Sequence, residues 1–143
     1  MSSTSGQVAL AVTWLWLGMV LAISFLEAPL KFRAPGLDLR TGLAIGRLVF
    51  RALNAVEALV AAVLVVCLVV GDSSGTVLAA GLAAVGVLVV QLAAVRPALG
   101  RRSERVLAGE TAEDAPRSHA HLWYVGLEVV KVAVLVVLGV ALF

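Results

Sequence analysis

Four polar side chains recur at helical spacing inside an apolar stretch. Arg47, Arg51, Asn54 and Glu57 stand at i, i+4, i+7 and i+10, which places them on one face of a helix. A second set, His121, Tyr124, Glu128 and Lys131, stands at i, i+3, i+7 and i+10, again on one face. Gln91 and Glu27 belong to two further apolar stretches. A charge at mid-membrane costs about 2.5–3.5 kcal/mol even on the most lenient insertion scale, so such groups must turn inward and pair. Lys131 can pair with Glu128 one turn away, or across helices with Glu57. Arg47 and Arg51 can reach Glu27 at the membrane boundary or snorkel towards headgroups. Three acids (Glu27, Glu57, Glu128) against three bases (Arg47, Arg51, Lys131) make this polar layer formally neutral. Two chemistries fit it. One is a structural network in which Asn54 and Gln91 bond across helices. The other is a binding or proton-handling site, in which Glu57 or Glu128 is able to hold a proton near neutral pH.

Metal binding is not expected. His121 and Glu128 are seven residues apart, about 10.5 Å along a helix axis, whereas helical metal sites use Glu-x-x-His at i, i+3. Lys131 adds competing positive charge. Cys67 is the one cysteine, deep in an apolar run, so it makes no internal disulfide and reads as packing. There is no Walker loop and no G-x-G-x-x-G, and the residues leave open whether the chain is an enzyme.

The elements that must position these groups follow from composition. Of 143 residues, 62% are hydrophobic and 14% charged, against about 25% charged in soluble domains. A compact domain of this size cannot hide that much apolar surface from water, which excludes a soluble enzyme, a disordered tail and a disulfide scaffold. Four runs are long enough for the roughly 20 residues that cross a bilayer. They give an all-α, four-transmembrane-helix bundle forming one membrane domain over 1–143, with helices about 8–27, 41–70, 76–96 and 119–143. Gly71-Asp72-Ser73-Ser74-Gly75 is a tight turn joining the second and third helices as antiparallel neighbours. The first run lacks a basic n-region and an A-x-A-like site, so it reads as a retained helix and not a signal peptide. Counted along the helix axes, Glu57, Gln91, Glu128 and Lys131 all fall roughly 6–10 Å below one boundary.

Basic residues set the direction. Lys31, Arg33 and Arg40 lie in segment 28–46, and Arg96, Arg101, Arg102, Arg105 and Arg117 in segment 96–118. The N-terminal tail, the 71–75 turn and the C-terminus contain none. The positive-inside rule then predicts N-out/C-out topology with two basic cytoplasmic loops, and the Ala/Val/Gly/Arg bias suggests a GC-rich bacterial genome, so the expected location is a bacterial inner (plasma) membrane. The net charge of +2 follows from this bias and does not indicate nucleic acid. The partners expected are the lipid bilayer and further copies of the chain in a homo-oligomer. Trp14, Trp16, Trp123 and Tyr124 read as interfacial anchors or packing. Gly42-x-x-x-Gly46, Gly81 and Gly86 read as points of close backbone approach. Leu30–Leu39 alternates apolar and basic residues, as a segment lying on the membrane surface would.

Two resemblances attach to these residues. The run Ser24–Pro35 (Ser-Phe-Leu-Glu-Ala-Pro-Leu-Lys-Phe-Arg-Ala-Pro), with Gly46-Arg47 and Asn54-Ala-Val-Glu57, resembles an uncharacterised family of small four-helix bacterial membrane proteins, which implies no activity. His121, Tyr124, Glu128 and Lys131 resemble the opening of its last helix. Separately, Arg51-Ala-Leu-Asn54-Ala-Val-Glu57 resembles the second-helix motif of the MAPEG membrane glutathione transferases. That resemblance implies a glutathione-dependent enzyme acting on a lipophilic substrate, with Arg51, Asn54 and Glu57 binding glutathione at a subunit interface. The chain departs from the motif, since Arg51 stands three residues before Asn54 where the family usually has four.

Overall fold

The computed structural model describes residues 3–73, 75–109 and 119–143, and every regular element among them is helical. In order these are α1 (Ser3–Val20), a π-helical segment (Leu21–Glu27), α2 (Ala28–Lys31), α3 (Leu39–Val70), α4 (Gly75–Val90), a second π-helical segment (Gln91–Val95), α5 (Arg96–Leu107) and α6 (His119–Leu142). Four stretches are long and apolar enough to cross a membrane: Thr4–Lys31, Leu39–Val70, Gly75–Ala94 and Leu122–Leu142. Large apolar side chains such as Leu15, Leu59, Val66, Leu82 and Val137 point outward from them. An aqueous surface would not tolerate such a coat; lipid would.

The first and third helices run beyond their expected ends, and proline explains how. Pro29 lacks an N–H and its ring crowds the carbonyl one turn back. The helix widens just before it: the Ala28 N–H bonds to the Ile23 carbonyl five residues back. Pro97 stands in the same relation to the segment Gln91–Val95, two residues past its end. Neither proline ends its helix, which continues as α2 past Pro29 and as α5 past Pro97. Segment 96–118, expected as a loop, begins as helix α5. The segment Leu30–Leu39 is the end of α2 followed by turns that lead into α3, closed by Arg33 N–H to Leu30 O (3.0 Å) and Leu37 N–H to Ala34 O (3.2 Å), with Gly36 at φ +79°.

Asp38 starts α3. Its carboxylate accepts from the Thr41 N–H at 2.8 Å, satisfying a backbone donor that the helix leaves open. Hydrogen bonds from Thr41, side chain and backbone, hold the Asp38 carboxyl below its ordinary 3.8. Gly71 closes α3, and the turn into α4 takes left-handed backbone at Asp72 (φ +50°) and Gly75 (φ +62°).

The helices pack as a ring. α1 lies against α3 and α6, and α4 closes the other side against α3 and α6. α3 and α6 thus face each other across the centre. Trp16, Leu64, Ala84, Leu135 and Leu138 fill one half of the interior. The glycines receive side chains where bare helix contacts were expected. Gly42 meets the Phe32 ring, Gly46 the Lys31 ammonium, Gly81 the Leu68 side chain and Gly139 the Trp14 indole, while nothing approaches Gly86. At the end holding both basic segments, the Arg40 guanidinium donates to the Val106 and Leu107 carbonyls (3.2 and 2.6 Å), capping α5.

Candidate functional site

Each of the four spans sends one or more polar side chains to a single buried cluster. Lys131 of α6 is its centre. Its ammonium donates to Glu57 Oε2 of α3 at 2.7 Å and to Glu128 Oε1, one turn back on α6, at 2.6 Å. The Glu57 bond crosses the bundle, because α3 and α6 are opposite members of the ring. Both pairings considered from the sequence are therefore made at once. The Gln91 amide, at the start of the second π-helical segment, donates to the same Glu128 oxygen at 2.8 Å. The Trp16 indole N–H of α1 donates to the same Glu57 oxygen at 3.2 Å. Glu57, Glu128 and Lys131 are each 1% exposed, Gln91 is 2% exposed and Trp16 fully buried.

The charge count differs from the neutral layer expected. Arg47 pairs with Glu104 of α5 at 3.0 Å and so does not reach Glu27. Glu27 instead faces Lys31, one turn on, at 3.9 Å. Arg51 is exposed, and Asn54 is half-buried with no hydrogen bond to Glu57. The physical reason is reach: arginine is long enough to carry its charge out of the apolar layer, leaving only the shorter or deeper groups inside. Among the described residues, what remains buried is two carboxylates against one ammonium. With all three ionised the cluster carries one net negative charge. Buried ion pairs hold together only when the surrounding donors satisfy the lone pairs that remain. Here they do so unequally, since Glu128 Oε2 is buried without a hydrogen-bond partner.

Above the cluster, towards the basic segments, lie two hydroxyls. Ser24, in the first π-helical segment, sits beside the Glu128 carboxyl, and its oxygen is 3.5 Å from the Tyr124 hydroxyl. Tyr124 is 8% exposed and stacks edge-on against Phe50, centroids 6.0 Å apart. The Lys31 ammonium lies over the Phe50 ring, 5.8 Å from its centroid.

Of the residues singled out from the sequence, Glu57, Glu128, Lys131 and Gln91 are joined directly and Tyr124 lies next to them. Glu27 stands at the end of the span, and Arg47, Arg51 and Asn54 lie apart. The side chains of His119 and His121, and all of Arg117, lie outside the described residues. Among the described residues no three His, Cys, Asp or Glu side chains group as metal ligands. Cys67 is buried and free.

Trp16 and Ser24 were missed as members of the site. The signal for Trp16 was present: an indole N–H inside a bilayer needs an acceptor. Ser24 offered no such signal, because a serine in a membrane helix usually bonds its own backbone.

No known protein family, curated protein or solved structure matches this chain. Its class therefore rests on the fold and the site: an all-helical bundle with four spans compatible with a multi-pass membrane protein, and a charged cluster at its centre.

Proposed function

We propose that this chain is a multi-pass protein of the bacterial inner membrane that handles a proton, an ion or a small polar group at Glu57, Glu128 and Lys131. Its basic segments face the cytoplasm and its termini lie outside, so the cluster sits in the cytoplasmic half. A homo-oligomer would thicken a wall only four helices wide around buried charge.

The observation that carries this reading is the mismatch of two carboxylates with one ammonium at 1% exposure, with Glu128 Oε2 unpartnered. A network serving only to fix helix register needs one acid for one base. A second acid with a spare acceptor gives the cluster two charge states, differing by one bound cation or one proton. Ionisable groups inside a membrane mark such pathways.

The test is flux in proteoliposomes. Protons, monovalent cations and small organic ions are driven in turn across vesicles holding the wild type, Glu57→Gln or Glu128→Gln. The reading expects one of these fluxes to be present and lost in both variants. Equal fluxes in all three proteins, with the fold retained, would refute it. So would conjugation of glutathione to a lipophilic electrophile by the purified protein.

A further inference from the structure

A second charged pair, outside the cluster, is less completely bonded. Glu27 closes the first π-helical segment, and Lys31 ends both α2 and the first span. The Lys31 ammonium stands 3.9 Å from Glu27 Oε1, too far for a hydrogen bond. Among the described residues this ammonium donates no hydrogen bond, although its side chain is only 11% exposed. Glu27 Oε2 is buried and likewise has no hydrogen-bond partner. The ammonium is nonetheless held in place. It lies 5.3 Å from the Phe32 ring centroid and 5.8 Å from that of Phe50. Such rings attract its charge but supply no lone pair to its N–H groups. Gly46 of α3 makes the room, since a Cβ there would come within 2.8 Å of the nitrogen.

We infer that Glu27 and Lys31 form a binding site for the headgroup of phosphatidylethanolamine, whose phosphate accepts from Lys31 and whose ammonium donates to Glu27. The inference goes beyond the reading of the buried cluster and shares with it only the placement of the chain in a bilayer. The pair is neutral as a whole, so the ligand that completes it offers both an acceptor and a charged donor. A simple anion satisfies Lys31 but is repelled by Glu27, and a simple cation meets the reverse. A phosphate joined by two carbons to an ammonium satisfies both, through hydrogen bonds strengthened by charge on each side.

The headgroup nitrogen decides between the zwitterionic lipids. Ethanolamine carries N–H donors, whereas the trimethylated nitrogen of choline carries none and leaves the Glu27 carboxylate without a hydrogen bond. Position favours a lipid over the same zwitterion in solution. The pair stands at the end of a span, at the depth where headgroups lie. Leu26 and Leu30, each one residue before a member of the pair, are exposed and offer an apolar stripe to the acyl chains. The two charges divide the work: Lys31 anchors the phosphate that every phospholipid has, and Glu27 selects the amine.

The experiment reconstitutes the full chain into vesicles of equal parts phosphatidylethanolamine and phosphatidylcholine. In matched vesicles the former is replaced by its dimethylated form, which keeps one N–H. Alkaline extraction separates inserted from adsorbed protein, and native mass spectrometry then counts the lipids that the inserted protein retains. Wild type should retain phosphatidylethanolamine over phosphatidylcholine by about tenfold, the worth of one hydrogen bond to a charged group. The dimethylated lipid should keep most of that preference. Glu27→Met should abolish the preference while phosphatidylcholine is still retained, and Lys31→Met should lower retention of both lipids. Gly46→Ala keeps both charges, displaces only the end of a flexible side chain, and should also lower retention of both. Equal retention of the two lipids by wild type, or a preference that survives in Glu27→Met, would overturn the site. So would displacement of the lipid by dissolved phosphoethanolamine, because the ligand would then be the free zwitterion. A chain that alkaline buffer strips from the vesicles would instead refute its placement in the bilayer.

Discussion

Replacing Lys131 with Met removes the one positive charge from the cluster while keeping a flexible side chain of similar length. The ammonium makes two hydrogen bonds, 2.7 Å to Glu57 and 2.6 Å to Glu128, with all three side chains 1% exposed. Hydrogen bonds to charged groups contribute about 1.5–3 kcal/mol each. Breaking a buried pair by removing one partner costs about 3–5 kcal/mol, because the remaining charge is left uncompensated. Both routes converge on a loss of about 3–5 kcal/mol for Lys131→Met, or roughly two to three and a half decades in the unfolding equilibrium. The companion is the triple variant Glu57→Gln, Glu128→Gln, Lys131→Met. It keeps amide oxygens for the Trp16 and Gln91 donors and removes every charge, so its stability should return to within about 2 kcal/mol of wild type. Equilibrium unfolding in mixed micelles, followed by circular dichroism, measures both. Acidification should recover part of the single variant's loss, since protonating the carboxylates removes their repulsion. A Lys131→Met cost below about 1 kcal/mol, the range of an exposed pair, would refute the electrostatic argument. A triple variant as unstable as the single would show that the loss is packing and not charge.

Other perturbations separate the remaining contributions. Trp16→Phe keeps the ring and removes the donor to Glu57, and should cost about 1.5–3 kcal/mol in the same unfolding assay. Arg47→Ala and Glu104→Ala break an ion pair whose side chains are 35% and 62% exposed, so each should change stability by less than about 1 kcal/mol, and salt should abolish the difference. A Cβ at Gly139 would come within 2.6 Å of the Trp14 ring, so Gly139→Val should destabilise by about 1–3 kcal/mol by overpacking and shift the tryptophan emission. Asp38→Ala should lower the melting temperature at neutral pH. The wild-type carboxyl titrates below its ordinary 3.8, so the cap contributes fully above that value. Its contribution is lost as pH falls through the folded-state pKa, and wild type and variant should then converge in melts at strongly acidic pH.

The four spans were legible in the sequence because each is a sustained apolar run, and length alone decides whether such a run can cross a bilayer. The polar faces were legible too, since helical spacing places Glu57 with Asn54 and Glu128 with Lys131 before any packing is known. Spacing within one helix does not say how that helix is rotated against its neighbours. That is why Asn54, about 60° round the helix from Glu57, ended outside the cluster; Arg51, six residues away, stands about 120° round the helix by spacing alone. The helix ends were harder to read. Pro29 and Pro97 look like stops, and both helices pass through them by a local π-helical widening that depends on how the flanking turns pack.

The charge balance was decided only in three dimensions. Sequence determined which ionisable groups sit near the membrane and that they sum to neutrality, because insertion cost acts on each helix singly. Tertiary structure determined that Arg47 leaves for Glu104, that Trp16 and Gln91 come from other spans to complete the cluster, and that Glu128 Oε2 is buried without a hydrogen-bond partner. Those outcomes depend on distances between residues as far as 74 positions apart in the chain, as Glu57 and Lys131 are. Helical periodicity says nothing about such distances.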